Sequence, residues 1–122
     1  MPKKILIIDD ELEICKRVSK FLFDAGYSAS YALNGSEGLA KIKKDSPSLV
    51  LLDIGMPNMD GAEVLRLLRT DFPKLPVIIL SASQDTETVK KMMVLGASEY
   101  LSKPIHLGTL LDQFVKDMIG AP

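Results

Sequence analysis

The sequence predicts an α/β fold, a parallel sheet of five strands with helices packed on both of its faces. Its 122 residues are the size of one domain with one hydrophobic core. Short apolar runs alternate five times with longer segments of helical period, an order typical of parallel strands connected by helices. The first, third and fourth runs are almost entirely apolar, which favours strands that are covered on both sides.

Each expected element has a boundary that can be read in the sequence. The strands are expected at residues 5–8, 27–32, 49–52, 76–80 and 98–101. The helices are expected at residues 12–25, 35–44, 62–71, 85–95 and 106–119. Gly26 and Gly96 end the first and fourth helices, because glycine readily adopts the backbone conformation found after a helix. Asn34 and Asp60 are expected to cap the second and third helices with their side chains.

The composition excludes several classes of protein. The chain is 47% hydrophobic and 25% charged, which argues against disorder. A net charge of -1, from 15 basic and 16 acidic residues, gives no basic field, so no direct nucleic-acid binding is expected. The apolar runs fall far short of the roughly 20 residues of a membrane helix, so no membrane contact is expected. Cys15 is the single cysteine and cannot form an internal disulfide, and we expect a cytoplasmic protein.

Polar side chains follow four of the five expected strands. They are Asp9, Asp10 and Glu11 after the first strand, Asp53 after the third, Ser81 after the fourth and Lys103 after the fifth. Ligands of open parallel sheets bind at the carboxyl ends of the strands, so these side chains should converge on one crevice. Crowded carboxylates need a counter-charge, and Mg²⁺ suits a site of carboxylates, water and a phosphate. An aspartate held among a metal, a lysine and a hydroxyl is arranged as a nucleophile toward phosphorus.

Four segments together resemble the signatures of the response-regulator receiver family. They are residues 7–11, 51–61, 79–82 and 96–104, which read IIDDE, LLDIGMPNMDG, ILSA and GASEYLSKP. The resemblance extends over residues 3–119 and implies a single receiver domain over residues 1–122, with a flavodoxin-like sheet in the order 2-1-3-4-5. It also implies a phosphoacceptor switch of two-component signalling that receives a phosphoryl group from a histidine kinase or a histidine phosphotransfer protein. Such a domain is not an enzyme on other substrates and catalyses only its own phosphorylation and dephosphorylation.

The resemblance also implies a role for each residue of the crevice. Asp53 would accept the phosphoryl group, Ser81 would hydrogen-bond one of its oxygens, and Lys103 would pair with it. The Mg²⁺ ligands would be Asp9, Asp10, Asp53 and the backbone carbonyl of Gly55. Among these ligands Asp10 would bind the ion directly, whereas Asp9 would act mainly through water.

The signal would leave the site through Ser81 and Tyr100, if the resemblance holds. Tyr100 would change its rotamer on phosphorylation and so alter the face formed by the fourth helix, the fifth strand and the fifth helix. That face would control an output domain or partner, and it would also be the contact of a homodimer. The peptide bond between Lys103 and Pro104 would be cis, an isomer found mainly before proline.

Three other functions remain as alternatives. A Mg²⁺-dependent phosphatase with an aspartyl nucleophile needs an acid two residues later, where this chain has Gly55. A flavodoxin-like electron carrier needs a Ser/Thr/Gly-rich phosphate loop after the first strand, where residues 9–11 are acidic. A receiver-like scaffold that is never phosphorylated should have lost Asp53 or Lys103, and both are present.

Overall fold

One sheet of five parallel strands organises this computed structural model, which describes residues 2–55 and 60–122. The strands are β1 (Lys4–Ile8), β2 (Ser28–Ala32), β3 (Leu49–Asp53), β4 (Val77–Ser81) and β5 (Glu99–Ser102). Their order in the sheet is β2-β1-β3-β4-β5, so both the predicted fold class and the strand order are confirmed. The pairing register brings the strand ends level: Asp53 pairs with Leu80, and Ser81 pairs with Ser102.

Five helices connect and follow these strands within the described ranges. They are α1 (Leu12–Asp24), α2 (Gly35–Asp45), α3 (Gly61–Asp71), α4 (Thr86–Val94) and α5, which is α-helical over Leu107–Thr109, π-helical over Leu110–Val115 and α-helical over Lys116–Ile119. Every described boundary lies within one residue of the sequence prediction. In the part of the chain that the structure describes, no helix is both long enough and apolar enough to cross a bilayer.

The two faces of the sheet carry separate hydrophobic layers. In β1, Ile5 and Ile7 pack in the layer that includes buried residues of α1 and α5, whereas Leu6 and Ile8 pack in the layer of α2, α3 and α4. This alternation follows from the two-residue period of a strand. All five residues of β3 and all five of β4 are buried, as the apolar runs predict for strands covered on both faces.

Local capping confirms the predicted helix ends. The Asn34 side chain accepts a hydrogen bond of 2.8 Å from the Glu37 backbone N–H, and Asp60 caps α3 in the same way. Gly26 and Gly96 both have φ of +104°, a conformation that disfavours any residue with a side chain. Residues 56–59 of the second family signature lie outside the described residues, so the structure does not bear on them.

Candidate functional site

The predicted site residues lie side by side at the carboxyl ends of four strands. Asp53 is the last residue of β3 and Ser81 the last of β4, while Asp9 and Lys103 directly follow β1 and β5. A backbone hydrogen bond of 2.8 Å from Lys103 N–H to the Ser81 carbonyl continues the sheet to the edge of the site. The ends surround a crevice of about 250 Å³, which is lined by Asp10, Glu11, Asp53, Gly55, Ala82 and Lys103.

The ammonium group of Lys103 is the centre of the site. Its Nζ lies 2.8 Å from Asp9 Oδ2, 3.2 Å from Asp53 Oδ2 and 3.4 Å from Glu11 Oε1. An ammonium has three protons to donate, so three carboxylates can use all of them. Burial alone would lower the pKa of Lys103, but the hydrogen bond to Asp9 and the charges of Asp53 and Asp9 raise it above the ordinary value. Lys103 therefore stays cationic throughout the physiological pH range.

Asp53 is a buried carboxylate, only 4% exposed. Burial raises its pKa, and the nearby charge of Asp9 adds to that effect. The Gly55 backbone N–H, which donates a 2.9 Å hydrogen bond to Asp53 Oδ1, and the Lys103 ammonium both act in the opposite direction. One Asp53 oxygen thus faces a backbone donor and the other faces the lysine.

Asp9 and Asp10 differ sharply although they are adjacent. Asp9 is fully buried, and both its oxygens have protein donors: Oδ1 accepts from the Glu11 N–H at 2.9 Å, and Oδ2 accepts from Lys103. Asp10 is exposed and lines the crevice. Asp9 is therefore suited to hold Lys103 in place, and Asp10 has its carboxylate available for a ligand.

The acidic groups of the site could hold a divalent cation. Carboxylate oxygens of Asp9, Asp10, Glu11 and Asp53 all lie within 4.8 Å of one another. Hard cations such as Mg²⁺ take oxygen ligands of this kind and commonly use one or two carboxylates, with water and phosphate completing the shell. The donor set therefore fits the predicted ion. Glu11 was predicted from the run of three acids after β1 to converge on the crevice, but no role as a ligand or in catalysis was predicted for it.

Ser81 and Tyr100 are connected through the loop between β4 and α4. Ser81 is 4% exposed, and its Oγ accepts a 3.0 Å hydrogen bond from the Ser83 backbone N–H. The Ser83 carbonyl in turn accepts a 2.8 Å hydrogen bond from the Tyr100 hydroxyl. Ser81 and Tyr100 were predicted from the sequence, whereas the Ser83 peptide between them was not, because a backbone hydrogen bond does not depend on the type of residue.

A second hollow adjoins the crevice on the side of α1. It measures about 340 Å³ and is lined by Glu11, Ile14, Arg17, Ala82, Lys103, Pro104 and Ile105. Lys103 and Glu11 also line the crevice, so the two hollows are neighbours that share these side chains. The peptide bond before Pro104 is cis, as predicted.

Comparison with known proteins identifies a family profile and several relatives that agree with one another. A family profile described as response regulator receiver domain matches residues 5–115. The transcriptional regulatory protein CrdR of Helicobacter pylori is 37% identical over 111 residues, which cover 90% of this chain and 52% of CrdR. The chemotaxis protein CheY of Treponema pallidum is 36% identical over 115 residues, covering 92% of this chain and 80% of CheY.

Solved structures agree with these sequence relatives. The Vibrio cholerae chemotaxis protein CheY4 superimposes with a TM-score of 0.91 at 30% identity, covering 98% of this chain and 100% of that chain. The chain spans about half the length of several relatives that it matches, CrdR among them. The residues that match the family profile nevertheless run from β1 to α5 and include all the residues that line the crevice. The chain belongs to the response regulator receiver domain family.

Proposed function

We propose that this chain is a phosphoacceptor switch of a two-component relay, in which Asp53 receives a phosphoryl group. The observation that carries the proposal is the convergence of a buried Asp53 with Lys103 and with three further carboxylates within 4.8 Å. Burying charges in this way lowers the stability of the fold, and clusters of buried charged groups in a crevice are typical of functional sites. A nucleophile, a fixed cation and a cation-binding acidic pocket are the parts that phosphoryl transfer requires.

In the proposed reaction an Asp53 oxygen attacks the phosphorus of a phosphohistidine. The new acyl phosphate bond forms while the P–N bond breaks, and the imidazole leaves with the bonding electron pair and takes up a proton. The Lys103 ammonium offsets charge on the transferring oxygens, and the Ser81 hydroxyl donates a hydrogen bond to one of them. Asp9 acts on the reaction only through Lys103, whose position it holds from 2.8 Å.

Mg²⁺ is the proposed cofactor of this reaction. Asp10, Asp53 and the Gly55 carbonyl are the proposed direct ligands, with Asp9 contributing mainly through water. When bound, the ion supplies positive charge to the phosphoryl oxygens, in addition to that of Lys103. The support for this assignment is the exposed Asp10 carboxylate at the rim of the crevice, together with the close spacing of the acidic oxygens.

The proposed phosphoryl donor is a histidine kinase or a histidine phosphotransfer protein. Its support is the family and the hollow of about 340 Å³ beside the crevice, whose apolar side chains Ile14, Pro104 and Ile105 suit a protein surface better than a small ion. Lys103 and Glu11 line this hollow as well as the crevice, so a donor docked there would lie beside the crevice that contains Asp53. The cytoplasm is the proposed compartment.

The proposed output is a change in the face formed by α4, β5 and α5, which controls an output domain or a partner. On α4 the side chains of Met93 and Val94 are 41% and 86% exposed, so this face carries apolar surface that a protein partner could cover. A homodimer through the same face is part of the proposal. The proposal does not include direct binding of nucleic acid by this domain, because a formal net charge of -1 gives no positive field to attract phosphates.

Intact mass spectrometry tests the phosphoacceptor assignment. Incubation with Mg²⁺ and acetyl phosphate should add one phosphoryl group per wild-type chain and none to Asp53→Asn. Asp24→Asn is the matched control, because Asp24 is an exposed aspartate on α1 and should leave the labelling intact. Labelling of Asp53→Asn at the wild-type level would falsify the assignment.

A further inference from the structure

Glu11 holds the N-cap position of α1 but does not act as a cap. Glutamate is not among the residues favoured at this position, and the Glu11 side chain makes no capping hydrogen bond. Its Oε1 lies 3.4 Å from Lys103 Nζ instead, and the side chain remains 59% exposed. Helix stability therefore accounts for an acidic charge at this end of α1 but for no specific contact of the side chain, whereas the proximity to Lys103 connects Glu11 with the site.

The charge of the crevice is unbalanced because of this residue. Four carboxylates, those of Asp9, Asp10, Glu11 and Asp53, face the single ammonium of Lys103. The formal excess is three negative charges, and a divalent cation leaves one of them uncompensated. Without Glu11 the cation-loaded site would be formally neutral. An acidic side chain at this position should therefore strengthen cation binding and oppose the approach of an anionic phosphoryl donor.

The three partners of Lys103 are not equally easy to displace. Asp9 is fully buried and fixed by the Glu11 backbone N–H, so its ion pair with Lys103 persists. The Glu11 carboxylate is the most distant of the three and is also the exposed one. A phosphoryl group on Asp53 that recruits a Lys103 proton must therefore compete chiefly with Glu11.

We propose that Glu11 is a positioning and charge-setting residue of the phosphoacceptor site, which tightens divalent-cation binding and slows phosphoryl transfer from dianionic donors. This inference rests on the proposed phosphorylation of Asp53. The two effects have opposite consequences for the reaction, since cation binding assists phosphoryl transfer and donor repulsion opposes it. Removal of the charge should thus weaken the metal complex and yet speed the reaction once the metal is saturating.

The experiment compares Glu11→Gln with the wild type and with Glu13→Gln. Glu13 lies in the first turn of α1, so its variant removes the same charge two residues away. The dissociation constant for Mg²⁺ is measured by titration of the unphosphorylated chain. We expect it to rise roughly three- to tenfold in Glu11→Gln, as for the loss of one nearby partly screened charge, and less than twofold in Glu13→Gln.

Phosphorylation rates at saturating Mg²⁺ supply the second measurement. With acetyl phosphate, a dianion, Glu11→Gln should react roughly three- to tenfold faster than the wild type. With phosphoramidate, which carries one fewer net negative charge, the gain should be about half as large on a logarithmic scale. The gain should also shrink at high salt, since screening weakens the repulsion. Glu11→Asp, which retains the charge, should restore most of the Mg²⁺ affinity.

The outcomes separate this inference from the proposed function. A wild-type chain that takes no phosphoryl group contradicts the phosphoacceptor role itself. A wild-type chain that is phosphorylated, with Glu11→Gln unchanged in both Mg²⁺ affinity and acetyl phosphate rate, overturns the inference alone. Equal effects of Glu13→Gln and Glu11→Gln also overturn it, because they would reflect the overall charge of the chain and not the contact with Lys103.

Discussion

At the scale of single residues, the site depends on how one lysine is shared. Lys103 is mostly buried, with 13% of its side chain exposed, and it neutralises an Asp9 carboxylate that has no exposure at all. A buried charge without a partner is strongly unfavourable, so each of these two residues requires the other. Because Asp9 is fully buried, its ion pair should hold Lys103 in place even if the contacts of Lys103 with Asp53 and Glu11 change on phosphorylation.

Cys15 lies directly beneath this site, and its reactivity gives a pH-dependent prediction. Its thiol is fully buried and donates a 3.3 Å hydrogen bond to the Asp9 carbonyl. Burial, with the charge of Asp9, raises the pKa of Cys15 from 9.0 to about 12. Near pH 8 only about one thiol in ten thousand is then ionised in the folded chain. We expect iodoacetamide to label native Cys15 at least a hundredfold more slowly than the urea-unfolded chain.

The same pKa shift affects stability at alkaline pH. The folded chain keeps the thiol proton to a higher pH than the unfolded chain, so this group stabilises the fold fully below pH 9.0 and the contribution is lost as the pH rises toward about 12. The difference in free energy of unfolding between the wild type and Cys15→Ala should therefore narrow over that range. A gap that stays constant in urea denaturation between pH 9 and 11 would contradict the shift.

At the scale of secondary-structure elements, Arg69 connects α3 with the turn before β5. Its guanidinium donates to the carbonyls of Phe72 at 3.0 Å and Leu75 at 2.8 Å through Nη1, and to that of Gly96 at 2.6 Å through Nη2. Its Nε is buried and has no hydrogen-bond partner among the described residues. Burial lowers the pKa of Arg69, and no carboxylate pairs with it in the described ranges. Arg69 thus contributes to the fold through hydrogen bonds of fixed geometry to three backbone carbonyls.

Replacing Arg69 should loosen this junction. Arg69 reaches the three carbonyls with two guanidinium nitrogen atoms, whereas lysine keeps the charge but has a single side-chain nitrogen. Arg69→Lys should therefore lower the free energy of unfolding by about 1–2 kcal/mol. Arg66→Lys is the matched control on the same helix, because Arg66 is exposed and its one ion-pair partner among residues 2–55 and 60–122 is Glu63. Urea denaturation measures the stability, and amide hydrogen exchange at Gly96 and Ala97 should quicken only in the Arg69 variant. Equal stability of the two variants would be inconsistent with a connecting role.

The sequence predicted element boundaries better than it predicted contacts between elements. The ends of α1 and α2 could be located because Gly26 and Asn34 act on the backbone next to them. The contacts of Arg69 could not be located, because they join residues brought together only by the folded chain. The π-helical stretch of α5, Leu110–Val115, was missed for a similar reason: its side chains follow an ordinary helical pattern of apolar residues.

At the scale of the whole molecule, the site exists because separate parts of the chain meet. The meeting of Asp9, Asp53 and Lys103 could be predicted, since parallel strands in register end at one edge of the sheet. The contact of Glu11 with Lys103 could not, because it depends on the rotamer of a long exposed side chain. Predictable features thus follow from topology, and the missed ones depend on the exact placement of side chains and single peptides.

Clustered carboxylates couple this edge of the sheet to global stability. Their mutual repulsion is present only in the folded chain, so a cation that binds the folded chain alone stabilises it, by about 2.7 kcal/mol at a hundredfold excess over its dissociation constant. Millimolar Mg²⁺ should therefore raise the melting temperature, measured by circular dichroism, and removal by EDTA should reverse the rise. Asp10→Asn should reduce this response and Asp24→Asn should not. If NaCl of matched ionic strength has the same effect as Mg²⁺, the response is not due to a metal site.

Transmission from Asp53 to the face of α4, β5 and α5 should pass through the Ser83 peptide. The Ser81 hydroxyl already accepts from the Ser83 N–H at 3.0 Å, but it donates to no group among the described residues, so its proton can be donated to a phosphoryl oxygen. A hydroxyl drawn toward Asp53 must therefore carry the Ser83 peptide with it. The Ser83 carbonyl holds the Tyr100 hydroxyl at 2.8 Å, so a displaced peptide alters the energy of the Tyr100 rotamer.

Beryllofluoride, a non-covalent phosphoryl mimic, allows this coupling to be measured by NMR. In the wild type it should shift the backbone amides of Ser83, of Tyr100 and of α4. Ser81→Ala should keep the shifts at the site, for example at Gly55, but lose most of those on α4, whereas Ser81→Thr should retain both because it keeps the hydroxyl. Tyr100→Phe should preserve the shift at Ser83 and lose the shift on α4, since it interrupts the path at its second hydrogen bond. Full α4 shifts in Ser81→Ala would mean that the signal leaves Asp53 by another route, because no hydroxyl would then remain at position 81 to move the Ser83 peptide.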